Sequence, residues 1–434
     1  MKKLIALVLA LLMVATVFAA CGGGGGEANT DNGGSGTDNG GSGTDNGGSD
    51  DPFYGEDNIT LLVWAADNAL KLTTELCDEF KAQYPDKKIT IEVKAQGEGD
   101  VGSQVANDPD KAADVFSFAC DQINDLVSRK LLTPVYNDYL DDVQANNTEF
   151  TLKAATIDGK VQAYPQTGEN GYYLVYDKQY VTDEDAKTLE GVLAACRKAG
   201  KKFVVDCGNG FFSVMFPFTG GLELAGLEDD GTQIFNDYDE DKVIASLDAF
   251  AKLFAEYKDV LMSADCARIS SGLAENPTTV AAGIDGSWNA ANVATALGDN
   301  FGAAKLPTIN IDGTDTQIKS FNGCKLIGVN SHTKFPESAQ LLANFLTGEA
   351  SQKKRLEAIS WAPSNKNLLA SDEFKSYKAL SALIEQSEYA LPQINVATNL
   401  WSPLGTLGNK VKDGSSKDVL TTEFKKAIDV ILNE

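Results

Sequence analysis

The sequence predicts an α/β protein, with a mainly parallel sheet flanked by helices on both faces and folded as one or two domains. Three observations support this. From Ile59 onward, short apolar runs alternate with longer stretches whose apolar residues recur at helical spacing. The 434 residues are enough for two cores of ordinary size. No internal repeat of solenoid length appears.

The elements follow in order. "ITLLVW" (59–64) reads as a strand, "LKLTTELCDEFKAQY" (70–84) as a helix and "ITIEV" (89–93) as the next strand. "ADVFSFA" (113–119) is a third strand, followed by the helical "DQINDLVSRKLL" (121–132). The pattern recurs in the strand "KFVVDC" (202–207), the helix "DKVIASLDAFAKLFAEY" (241–257) and the strands "TTVAAGI" (278–284) and "CKLIGVN" (324–330). Helices then dominate, from "SAQLLANFLTG" (338–348) to "DVLTTEFKKAIDVILNE" (418–434). One stretch stands out. In "GIDGSWNAANV" (283–293), Trp288 sits among small and polar residues, with Gly286 and Ser287 as a turn and Asn289 to Val293 opening a helix. That places an aromatic plate at a strand's C-terminal end, where open α/β sheets keep their ligand crevices.

The formal charge is −25, which argues against binding nucleic acid or an anionic membrane surface and favours a neutral or cationic ligand. His332 is the single histidine, so proton-transfer and metal chemistry have little to draw on. Met1-Lys2-Lys3, the apolar run Leu4 to Phe18, and Ala19-Ala20 before Cys21 form a secretory signal. No other segment is apolar enough to span a bilayer. Residues 22–56 read as a disordered, glycine-rich linker, because five glycines and repeats of "TDNGGSG" bury nothing. A phosphate loop in "CGGGGG" fails for want of a strand before it and a helix after it. Cysteines 77, 120, 196, 207, 266 and 324 lack metal-site spacing and leave disulfides or buried thiols equally open.

Taken together, "LLVW", "ADVFSFACDQINDLVSRKLL", "GKVQAYPQTGENGYYLVYDK", "DGSWNAAN" with "FGAAKLPTI", and "LPQINVATNLW" resemble, in their order and spacing, the family-one extracellular solute-binding proteins. Among these the chain is most similar to the maltose/maltodextrin-binding proteins of ABC importers. "VFAAC" likewise resembles a bacterial lipobox, which implies lipidation at Cys21, with 1–21 as the signal and its lipidated cysteine. The resemblance implies a periplasmic-binding-protein-like fold, two α/β lobes with a hinge and an interlobe ligand cleft. The N-terminal lobe would take 57–167 and 322–373, and the C-terminal lobe 168–321 and 374–434. It further implies a monomer held by lipid at the extracellular face of the membrane, with ABC permease subunits as partners.

A neutral oligosaccharide offers hydroxyls and weakly apolar ring faces, so its site needs aromatic plates together with carboxylates and amides. Trp288 fits the plate by its polar setting, against a core role. Trp401 matches a second stacking tryptophan of the family. Trp64, after three apolar residues, reads as core. Trp361, before Pro363, either lines the cleft or caps a helix pair. Asp121 opens a helix, where it would serve as a cap; the resemblance implies instead a role in binding sugar hydroxyls. Gln122 stands where the family has arginine, and Phe118 where it has tryptophan. Asp67 and Asn68 fit the family's loop after the first strand. Glu169 matches a sugar-binding glutamate or is a solvated turn residue. Phe211 and Phe212 match a pair containing a stacking aromatic.

"NDYDEDK" (236–242) lacks the glycine and terminal glutamate of a calcium loop and reads as a solvated acidic turn. Tyr172 and Tyr173 point to opposite faces of a strand and read as structural. The expectation is thus a binding protein for maltodextrins that needs no cofactor or metal and is not an enzyme. Its rivals are a binder of another neutral oligosaccharide and a carboxylate-only glycoside hydrolase.

Overall fold

The computed structural model describes residues 51–372 and 374–433. The expected signal, the lipidated Cys21 and the linker up to Asp50 lie outside them. The linker's far boundary is corrected, because residues 51–56 belong to the folded body. Phe53 is fully buried, its ring 4.8 Å from that of Tyr84. Asp51 pairs with Lys87 at 2.9 Å, and the Glu56 carboxylate accepts from the N–H groups of Glu337 and Ser338. The carboxylate thereby caps the helix Pro336–Thr347.

In chain order, the strands that matter are β1 (Ile59–Ala65), β2 (Ile89–Ala95), β3 (Val115–Ala119), β4 (Tyr164–Pro165), β5 (Tyr172–Asp177) and β6 (Lys202–Val204). They continue as β7 (Leu261–Met262), β8 (Val280–Gly286), β9 (Phe301–Ala304), β10 (Ser320–Asn322), β11 (Lys325–Val329) and β12 (Ala390–Pro392). Two five-stranded sheets result, ordered β2-β1-β3-β11-β4 and β7-β6-β8-β5-β9, and each is the centre of one α/β lobe.

Four strands of each sheet run one way, as expected of a mainly parallel sheet. The fifth is reversed: β11 lies antiparallel to both β3 and β4, and β5 to both β8 and β9. The chain reaches these strands by direct steps, β5 from β4 of the first sheet and β11 from the ribbon strand β10. No crossover helix intervenes there to restore a parallel direction. β10 pairs instead with β12 in a two-stranded ribbon.

Period-two alternation sets the cores. Val63, Phe116, Phe118 and Leu326 pack with helix residues such as Leu342 in the first lobe. In the second lobe, Tyr172 and Leu174 face one side of the sheet and Tyr173 and Val175 the other, so both sides are covered. The tyrosine pair is buried on opposite faces, as the sequence suggests.

Candidate functional site

One cavity of about 720 Å³ gathers the ends of both sheets. From the first sheet come Ala66, Asp67 and Asn68 after β1, Gly97 to Asp100 after β2, and Ala119 and Asp121 after β3. The second sheet contributes Asp206, Asn209, Phe211 and Phe212 after β6, Asp265 to Ala267 after β7, and Trp288, Asn289 and Asn292 after β8. All six segments leave the C-terminal ends of parallel strands, where side chains and backbone groups converge on a crevice. Asn170 just before β5, Lys325 at the start of β11, Gln393 after β12 and Trp401 at a helix start complete the wall.

The second-lobe wall is aromatic. β8 stops at Gly286, and a Cβ there would lie 2.2 Å from Trp288 ring atoms, so glycine is what lets the indole fold back over the strand end. The Asn289 amide fastens the turn by donating to the Asp285 carboxylate at 2.8 Å and to the Cys266 carbonyl at 3.0 Å. Phe211 joins the plates, with its ring 5.8 Å from that of Trp288 and 6.4 Å from that of Trp401. Gly210 beside it admits the Trp401 backbone, whose oxygen would lie 2.2 Å from an added Cβ.

The first-lobe wall is polar. Asp121 takes a hydrogen bond from the Gln393 amide at 2.8 Å, yet its removal from bulk water pushes its carboxyl up to about 7. Glu98 pairs with Lys325 at 2.6 Å, almost out of solvent. The Lys325 ammonium lies 3.8 Å from the centroid of the Trp361 ring and 5.9 Å from that of Trp288. Asn68 reaches across, its amide donating to the Trp288 carbonyl at 2.7 Å.

The cavity therefore brings together Trp288, Trp401, Asp121, Asp67, Asn68, Phe211 and Phe212. Four expected site residues lie off its surface. Phe118 is fully buried, 5.8 Å from Phe116, because its side of β3 faces the first-lobe core. Trp361 is 1% exposed and backs Lys325 rather than lining the cleft. Gln122 is occupied, accepting from Gly102 N–H at 2.7 Å and donating to the Glu98 carbonyl at 2.6 Å; it holds one loop of the wall in place. Glu169 turns inward, accepting from Gly171 N–H at 3.2 Å and from Ser287, and burial raises its carboxyl. Its neighbour Asn170 takes the wall position.

Sequence reasoning missed Glu98, Asp100, Asp206, Asp265, Gln393 and Lys325. Glu98, Asp100, Asp206 and Asp265 had a readable signal, each being a carboxylate two to five residues beyond a strand of a parallel set. Lys325 had none, since "CKLIGVN" reads as a buried strand. Elsewhere, all six cysteines after Cys21 are free thiols, of which five are buried. In "NDYDEDK", Asp239 caps the helix Glu240–Glu256, accepting from the N–H groups of Asp241 and Lys242.

The family described as bacterial extracellular solute-binding protein matches residues 75–382. A galactooligosaccharide-binding protein of Bacillus subtilis (strain 168) is 29% identical over 316 residues, 70% of this chain and 73% of that protein. A structure solved with acarbose is similar at a TM-score of 0.76 and 28% identity, covering 86% of this chain and 98% of the other. A maltodextrin-binding protein from L. casei BL23, solved without ligand, is similar at a TM-score of 0.70 and 25% identity, covering 86% and 99%.

Proposed function

Because this chain belongs to the bacterial extracellular solute-binding proteins, we propose that it captures maltodextrin-type oligosaccharides outside the cell and presents them to the permease of an ABC importer. The observation that supports this most is that one cavity combines aromatic plates, Trp288, Phe211 and Trp401, with carboxylates and amides. Pyranose rings have apolar C–H faces to lay on the plates and hydroxyls to donate to the acids.

The mechanism proposed is hinge closure. A sugar touching both walls binds the closed arrangement better than the open one and shifts the population toward it. In this mechanism the Asn68–Trp288 hydrogen bond would form on closure. Lipid on Cys21 would tether a monomer to the membrane, so Cys21→Ala should release the protein into the medium. No chemical step is involved, and maltohexaose incubated with the protein should stay intact.

A second reading, galactose oligomers in the same cavity, is favoured by the Bacillus subtilis relative. Calorimetry against maltotriose, xylotriose and a galactose trimer separates the two. Heat with maltotriose alone is expected. Heat only with the galactose oligomer would replace the α-glucan choice, and no heat with any would remove the oligosaccharide reading.

A further inference from the structure

We propose that the cavity selects for positive charge on its oligosaccharide, holding a sugar with a protonated amine more tightly than the neutral sugar and disfavouring one with a carboxylate. This rests on the oligosaccharide reading and specifies the substrate class of the same site.

The wall contains six carboxylates and one cation. Lys325 is already committed to Glu98 at 2.6 Å. Asp67, Asp100, Asp121, Asp206 and Asp265 form no ion pair among the described residues. Asp206 and Asp265 accept only backbone N–H groups, from Gly208 at 3.2 Å and from Ala267 at 2.9 Å. Asp121 accepts from a neutral amide. The carboxylates of Asp67 and Asp100 have no hydrogen-bond partner among the described residues.

The side chains next to these acids do not compensate them, since Asn68 and Gln122 are amides. The acids also come from both sheets, so the potential is negative across the gap and not along one edge alone. A concave site with low-dielectric aromatic walls concentrates such a field, and the net charge of −25 has the same sign. A neutral sugar uses the ionised carboxylates only as acceptors. An ammonium in place of one hydroxyl keeps the donors and adds the attraction. A uronate meets repulsion, which is how charge excludes a wrong ligand.

The test is calorimetry on the full chain at neutral pH with maltotriose, the three isomers bearing one amine at C6 of each ring in turn, and the matching C6 uronates. In about 20 mM salt, the best amine should bind at least tenfold tighter than maltotriose and every uronate at least tenfold weaker. Raising salt to about 300 mM should shrink both differences several-fold, because the wall is open to ions. The double variant D67N/D100N should cut the ratio of amine to maltotriose affinity at least threefold. Maltotriose binding with no gain for any amine, or a gain indifferent to salt, overturns this inference and leaves the oligosaccharide reading standing. No binding by any of the sugars removes both.

Discussion

The two walls of the cavity are built from the same part of the same kind of sheet, yet they do different work. After β6 and β8 the chain presents Phe211, Phe212 and Trp288. After β1, β2 and β3 it presents Asp67, Asn68, Glu98, Asp100 and Asp121, with no aromatic residue. The first lobe does have aromatics nearby, Phe118 and Trp361, but both are sealed in. Stacking contributes through area and tolerates sliding along a chain of rings. Charge-assisted hydrogen bonds depend on direction and fix orientation. In the proposed function, the second lobe would supply a surface to lie on and the first the register.

The largest expected effect is on the aromatic side. Trp288→Ala should weaken maltotriose binding at least tenfold, about 1.4 kcal/mol, whereas Trp361→Phe, behind the wall, should change it less than about twofold. Equal losses in a calorimetric titration would end the distinction between wall and backing. Next comes the polar side. Asp121→Asn should cost about fivefold near pH 8, within the range for hydrogen bonds to charged groups. Since the Asp121 carboxyl is raised to about 7 by burial, it is ionised above that pH and largely protonated below it. Wild-type affinity should therefore rise between pH 6 and pH 8, and the rise should vanish in the variant. A rise that persists in Asp121→Asn would assign the titration to another group.

The same contrast explains what the sequence revealed. Periodicity placed β1 and the helix Glu240–Glu256 to within a residue or so, because buried faces impose their spacing locally. Trp288 could be read because its neighbours are polar and a strand precedes it. Phe118 could not, since alternation along β3 says only that Ser117 and Phe118 face opposite ways, and the sheet decides which side meets the helices. Lys325 illustrates a deeper limit. Its partner Glu98 lies on another segment, and only the reversed pairing of β11 with β3 brings the two together. Glu169 and Asn170 differ by one residue in a short crossing, a margin that spacing cannot resolve.

A smaller effect measures how the walls meet. Asn68→Ala removes the 2.7 Å bond to the Trp288 carbonyl, the direct link between the polar lip and the aromatic plate. A net contribution of about 0.7 kcal/mol predicts a threefold loss in maltotriose affinity. An unchanged affinity would mean that the two lips close without help from this bond.

The last prediction concerns stability instead of binding. Behind the Trp288 turn, Asp285 is fully buried, and burial pushes its carboxyl up to about 7 although Cys266 and Asn289 hydrogen-bond to it. In the unfolded chain the same group ionises near its ordinary 3.8. Between those values the folded state holds the extra proton, so the stability associated with Asp285 is complete below about pH 4 and is lost as pH rises through about 7. Asp285→Asn keeps the shape and cannot ionise. Urea unfolding of the two proteins should coincide near pH 4, separate steadily up to about pH 7, and then stay apart by something on the order of 4 kcal/mol in favour of the variant. A separation independent of pH would show that burial does not raise the Asp285 carboxyl. The turn that carries Trp288 would then sit on a carboxylate that stays ionised when buried, with the Asn289 amide donating to it.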